Sequence, residues 1–165
     1  MIDRFVADSR SVALNHTAGL STPQQVQMAL FSLFSLMDTA DAYKAEMKRL
    51  VRDRRATLYR SMGLVTKPDP YSAAYYEELT LDAIATQLYS EDFVDWLLKE
   101  VKTGELLYRI ADEAGVVLMP GRGFGDPAPS VRVSLANLNE SDYAAIGRSM
   151  RGLLDEYYTR YQKKA

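Results

Sequence analysis

A predicted helix over residues 24–37, which contains the most apolar run of the chain at residues 28–37, constrains the fold more than any other feature. Thr22 is predicted to cap a helix here, Pro23 suits its first position, and Gln25 falls three residues after the cap. Apolar side chains lie on nearly every side of this helix, namely Val26, Met28, Leu30, Phe31, Leu33, Phe34 and Leu36. A helix that is apolar all round has to be buried. The sequence therefore predicts that other parts of a protein cover it on most sides.

Composition limits the classes of protein to which the chain can belong. Its 165 residues are 47% hydrophobic and 25% charged, which is ordinary for a globular protein, and its formal net charge of −2 gives no reason to expect nucleic acid. With no cysteine and one histidine, the chain has little from which to build a metal site. Its first residues are charged where a signal peptide is apolar, and its apolar run is too short to span a bilayer. We expect a cytoplasmic protein that binds neither nucleic acid, membrane nor metal.

Helical spacing of apolar residues predicts four further helices, over residues 38–63, 82–101, 103–114 and 139–158. The last of them has Asn139 at its cap and Asp142 at its third position. Residues 71–81 fit either a strand or irregular structure.

The period changes to that of strands in the last third of the chain. Residues 115–120 and 131–136 are predicted as two strands, joined by a glycine-rich turn over residues 121–125. A phosphate-binding loop has to lead into a helix, and this turn leads into a strand, so we interpret it as a turn that brings two strands near a ligand. Helices combined with a small antiparallel strand pair predict an α+β domain.

His16 and the basic residues of the second predicted helix each allow a functional and a structural interpretation. His16 lies in a predicted polar loop, where a lone histidine is more often structural or solvated than catalytic. The basic residues of the second helix form either a nucleic-acid patch or a solvated face. Because acidic residues share that helix and the chain is acidic overall, the solvated face is favoured.

Arg132 is the most informative single residue. Val131, Val133 and Leu135 share one face of its predicted strand, and Arg132, Ser134 and Ala136 share the other. Periodicity alone favours an arginine on a solvated sheet face. The neighbouring side chains on that face are small, however, and a planar guanidinium on a strand is well suited to bind a carboxylate through two parallel hydrogen bonds. Both interpretations stay open on this evidence.

Three runs carry a resemblance to a known family, and the likeness extends along essentially the whole chain. They are LNHTAGLSTPQQVQ (residues 14–27), LMPGRGFG (118–125) and RVSLANLN (132–139). The chain resembles bacterial aspartate 4-decarboxylases, or L-aspartate β-decarboxylases, of the aminotransferase superfamily. An arginine on a strand ahead of a final helix also occurs widely in related aminotransferases.

The resemblance implies a C-terminal fragment of a fold type I enzyme that depends on pyridoxal 5'-phosphate. Residues 1–40 would be the tail of the large cofactor-binding domain, and residues 41–165 the C-terminal small domain, with helices packed on a small antiparallel sheet. Arg132 would bind the substrate α-carboxylate. Ser21 and Thr22 would lie near the cofactor of a partner subunit, so the full-length enzyme would be a homo-oligomer.

The implied reaction converts L-aspartate to L-alanine and carbon dioxide, with side aminotransferase activity. The family's Schiff-base lysine lies upstream of the matching region, so no catalytic residue is expected in this chain, which should be inactive alone. The alternatives are a fragment of an aspartate-type aminotransferase and a non-catalytic helical oligomerisation module.

Overall fold

A computed structural model describes most of the chain, namely residues 3–7, 20–66, 69–125 and 129–164. His16 and most of the predicted loop around it lie outside the described residues. The chain forms two compact units, residues 1–46 and 47–165, and each is described by itself.

The first unit contains helix α1, Thr22–Met37, after a helical segment at residues 3–7. The N-cap of α1 is Ser21, so the prediction that Thr22 caps this helix was wrong by one position. The backbone N–H and the hydroxyl of Ser21 both donate to Oε1 of Gln24, at 2.9 and 3.0 Å. Gln24 reaches back to the cap because it stands at the third helical position, where a capping side chain belongs.

Helix α2, Ala42–Met62, begins in the first unit and continues into the second. It starts four residues later than the predicted Asp38, because Asp38 accepts the free N–H groups of the first turn instead of joining the helix. Its carboxylate accepts from Ala42 N at 3.0 Å and from Tyr43 N at 2.9 Å. The helix ends before Gly63, which adopts a left-handed φ of 81°.

Helices α3, α4 and α5 follow in the second unit, at Leu81–Leu88, Glu91–Glu100 and Thr103–Ala114. The prediction of one helix over residues 82–101 was therefore wrong. Ser90 interrupts it by acting as the N-cap of α4, where its hydroxyl accepts from Phe93 N at 3.4 Å. A serine placed between two apolar helical patterns is a cap signal.

Three short strands form one antiparallel sheet in the order β1-β3-β2, with β1 at Tyr76–Thr80, β2 at Met119–Pro120 and β3 at Ser130–Ser134. The ambiguous segment at residues 71–81 thus contains a strand. The strand predicted over 115–120 pairs only at its last two residues, because Gly115 first closes α5 with a left-handed φ of 65°. The glycine-rich turn is a 3₁₀ helix at Gly121–Phe124.

The core of the second unit lies between the inner face of the sheet and its helices. Val131, Val133 and Leu135 are all buried, which confirms the predicted inner face. The final helix α6, Glu140–Gln162, begins after Asn139 as predicted and runs four residues beyond Tyr158. Helices packed on a small antiparallel sheet confirm the predicted α+β class.

Candidate carboxylate-binding site

Arg132 lies on β3, the central strand, which pairs with a neighbour on each side. It stands opposite Glu78 of β1 and Met119 of β2. The flanking residues Val131 and Val133 are buried in the core, so Arg132 points to the opposite, partly exposed face. The strand that carries the arginine is therefore paired on both sides.

The guanidinium of Arg132 packs against aromatic rings. Its Cζ lies 3.8 Å from the centroid of the Tyr76 ring and 4.0 Å from that of Phe124. Although Glu78 is its cross-strand neighbour, the side chain of Arg132 forms no hydrogen bond or salt bridge within the described part of the chain. A guanidinium whose donors are not engaged by any of the described residues can bind an anion.

A cavity of about 890 Å³ opens over this face of the sheet. Its lining includes Arg132, Ser134, Tyr76 and Phe124, together with the segment before β2 and the first turns of α6. The Ser134 hydroxyl is buried and has no hydrogen-bond partner among the described residues. A buried hydroxyl without a protein partner is costly unless something else bonds it. The cavity therefore combines the Arg132 cation, the Ser134 hydroxyl and the carboxylate of Asp142, which accepts from Asn139 N, with mostly apolar walls, as small-ligand sites do.

Side chains from two helices fix the backbone that follows Arg132. Nη1 of Arg54, on α2, donates to the carbonyl oxygens of Leu135 and Ala136 at 3.0 Å each. The Tyr143 hydroxyl, on α6, donates to the Ser134 carbonyl at 3.0 Å and accepts from Leu138 N at 3.2 Å. These contacts tie the end of β3 to the core.

The buried carboxylate of Glu77, on β1, is bonded by two side chains of α2. Glu77 is 8% exposed and accepts two bonds from Arg55, at 2.8 and 2.9 Å, while the Tyr59 hydroxyl donates to the same carboxylate. Burial, reinforced by the hydrogen bond to Glu77, raises the pKa of Tyr59 well above its ordinary value. The pairing compensates the buried charge and anchors the strand that carries Tyr76.

The other proposed site residues, Ser21 and Thr22, belong to the first unit, and both are exposed. The hydroxyl of Ser21 bonds Gln24 within its own helix turn. Their predicted position beside a cofactor remains a prediction.

Within the described ranges no cluster of possible metal ligands occurs, and no described helix is long and apolar enough to cross a membrane.

The aromatic contacts of Arg132 were not found from the sequence. Phe124 lies in the glycine-rich turn that was expected to bring strands near a ligand, so its position carried a signal. Tyr76 carried none, because its segment was ambiguous and its contact with Arg132 depends on the register of β1 against β3.

Comparison with known proteins shows a relative that matches nearly the whole chain. No protein-family model matches the chain. Over 161 residues, 98% of its length, the chain is 60% identical to a bifunctional aspartate aminotransferase and L-aspartate beta-decarboxylase from Pseudomonas sp.. It spans about 30% of the length of that relative. Over the residues that align, the chain is therefore closely similar to one part of this aspartate aminotransferase and beta-decarboxylase.

Proposed function

We propose that this chain is the substrate-binding, C-terminal part of a longer enzyme that converts L-aspartate to L-alanine and carbon dioxide, with side aminotransferase activity. The observation that carries the proposal is the guanidinium of Arg132, which faces a cavity on the central strand without an ion-pair partner in the described part of the chain. The name of the Pseudomonas relative supports aspartate as the substrate. Residues 1–40 would end the large domain and residues 41–165 would form the small domain of a cytoplasmic homo-oligomer.

Arg132 binds the α-carboxylate of aspartate in this proposal. A guanidinium matches the planar carboxylate with two parallel charge-assisted hydrogen bonds. Because the strand backbone is held on both sides and the following carbonyls are bonded by Arg54 and Tyr143, the guanidinium is presented from a rigid base. The substrate Cα and the β-carboxylate are then oriented for the bond that has to break. The Ser134 hydroxyl offers a further hydrogen bond inside the same cavity.

Pyridoxal 5'-phosphate is the cofactor that this reaction class implies. When bound, it supplies the electron sink for the loss of carbon dioxide or the transfer of the amino group. The cavity suits a carboxylate and not this cofactor, since among the described residues that line it there is no lysine to bond the aldehyde. We therefore assign cofactor binding and the catalytic residues to other parts of the longer enzyme, and place Ser21 and Thr22 near the cofactor of a partner subunit.

The aminotransferase function is the second candidate, because the name of the relative prints both activities. Both reactions need the same α-carboxylate anchor, so Arg132 serves either one. The ratio of alanine and carbon dioxide formed to amino groups transferred, measured on the longer enzyme, separates them. A non-catalytic module would show neither activity and would bind no cofactor.

Two substitutions in the longer enzyme test the anchor. Arg132→Ala should lower kcat/KM for aspartate at least about tenfold, because a charge-assisted hydrogen bond is worth roughly 1.5–3 kcal/mol. Arg132→Lys should restore it only in part, since an ammonium lacks the two-pronged geometry. Bound cofactor, followed by its visible spectrum, should be unchanged. Arg148→Ala, which alters an exposed arginine of α6, is the matched control.

Unchanged kinetics in Arg132→Ala would return this residue to the solvated sheet face and end the proposal.

The 165-residue chain by itself, incubated with pyridoxal phosphate and aspartate, should form no alanine. Alanine formation at an enzyme-like rate would show that the chain needs no further part of a longer protein.

A further inference from the structure

The Cζ of Arg132 lies over the rings of both Tyr76 and Phe124, at 3.8 and 4.0 Å from their centroids, distances at which a guanidinium stacks on a ring. Two rings this close to one carbon atom on the same side would contact each other. Tyr76 has a ring contact with Tyr75, at 4.9 Å, and none with Phe124 within the part of the chain that the structure describes. The two rings therefore cover opposite faces of the guanidinium.

Covering both faces leaves only the edge of the guanidinium open. Its N–H bonds all lie in the guanidinium plane, so the rings take no donor away. They do exclude water from the two faces and restrict rotation of the plane. A carboxylate has to approach along the edge, in the plane that the rings set, and this is the geometry of a two-pronged pair.

Each ring is placed by an ordered backbone. Tyr76 stands opposite Ser134 in the β1–β3 register, two residues from Arg132. Phe124 ends the 3₁₀ helix that packs on β3 through Gly121, where an added Cβ would lie 1.9 Å from the Ser130 hydroxyl. Gly125 follows with a φ of 91°, a conformation that favours glycine. The contact with Arg132 thus arises from three separate elements that meet at one point.

We propose that Tyr76 and Phe124 are positioning residues that hold the Arg132 guanidinium in the plane required by the α-carboxylate. This inference rests on the proposed function, in which Arg132 binds that carboxylate. The rings act before the substrate arrives: they remove rotational freedom that the arginine would otherwise lose on binding. The same constraint then applies to the bound substrate and to the transition state, so its loss should raise KM and leave kcat nearly unchanged.

Kinetics of the longer enzyme test the two rings separately. Tyr76→Leu and Phe124→Leu should each raise KM for aspartate about two- to fivefold, the range of one exposed cation–π contact, and the double variant about tenfold. The kcat value should stay within about twofold. Tyr76→Phe keeps the ring and should keep the wild-type KM. Tyr108→Leu, at a tyrosine that is 80% exposed, is the control for loss of an aromatic side chain elsewhere.

A merely structural role would lower the active fraction, and therefore kcat, while KM stayed the same. Wild-type KM in both leucine variants, in an enzyme where Arg132→Ala raises KM, would overturn the positioning role and leave the carboxylate anchor intact. Wild-type KM in Arg132→Ala itself would instead overturn the proposed function.

A second measurement, on the 165-residue chain alone, does not depend on activity. In the NMR spectrum, ring currents should move the Arg132 Hδ protons upfield of their position in an ordinary arginine. Tyr76→Leu and Phe124→Leu should each remove part of this shift, whereas Tyr76→Phe should preserve it. Unshifted Arg132 protons in the wild-type chain would show that the rings do not hold the guanidinium.

Discussion

Helices α1 and α6 contrast sharply in burial, although both are rich in apolar residues. None of the 16 residues of Thr22–Met37 is buried. In Glu140–Gln162, seven are buried, namely Tyr143, Ile146, Gly147, Met150, Leu153, Leu154 and Tyr157. The buried residues of α6 recur every three or four positions and form one stripe toward the core. The apolar residues of α1 surround its axis, so no single neighbouring surface can cover them.

The comparison shows that the arrangement of apolar residues decides how much cover each helix needs. For α6 a single face meets the core of the second unit. We predicted that α1 needs cover on most sides. The described residues of this chain do not provide that cover, and the large apolar side chains of α1 are exposed. This agrees with the proposal that residues 1–40 end a larger domain of a longer protein.

The largest expected effect separates the two helices directly. Leu154 of α6 is 2% exposed. Leu154→Ala should lower the free energy of unfolding by about 2–5 kcal/mol, because the cavity left behind only partly closes. Leu33, 57% exposed in α1, should cost under about 0.5 kcal/mol by the same change. Urea unfolding followed by circular dichroism measures both. Equal losses would mean that α1 is as well packed as α6.

Two glycines of α6, Gly147 and Gly152, differ in the space that an added side chain would find. A Cβ at Gly147 would lie 1.9 Å from the Ser61 hydroxyl and 2.6 Å from the Leu58 carbonyl oxygen, so Gly147→Ala should destabilise the chain by about 1–3 kcal/mol. At Gly152 an added Cβ would meet nothing within 4 Å, and Gly152→Ala should stabilise by about 0.5–1 kcal/mol through helix propensity. Thermal unfolding of the two variants should give shifts of opposite sign. Shifts of the same sign would contradict the close approach of α6 to α2.

The smallest expected effect is a pH dependence of the free energy of unfolding, which arises from Tyr59 in the second unit. Tyr59 has its pKa raised by burial and by its bond to Glu77, so its neutral form stabilises the fold below the ordinary tyrosine pKa of about 10. This contribution should be lost as pH rises above about 10, because the unfolded chain then releases the proton more readily. Urea midpoints at pH 8 and pH 11 should fall less in Tyr59→Phe than in the wild type. An equal fall would assign the slope to other groups.

Local sequence signals predicted much of the second unit. Asn139 was identified as a cap, and the inner face of β3 was identified from alternation, because both depend on residues a few positions apart. The failures lay where two elements compete for one segment. In residues 82–101 the helical spacing of apolar residues resumes directly after Ser90, so the cap signal at Ser90 was missed. The strand over 115–120 was too long, because the closure of α5 at Gly115 left only two residues to pair with β3.

The candidate site divides in the same way. The face on which Arg132 lies followed from the sequence, since the period of a strand places Arg132 and Ser134 opposite the core whatever the rest of the chain does. Only the tertiary structure brought Tyr76 and Phe124 to the two faces of that guanidinium. A period determines which side of an element a residue occupies, because it is a property of the local backbone. Contact between elements distant in sequence depends on strand register and loop closure, and these are decided by the packing of the whole unit.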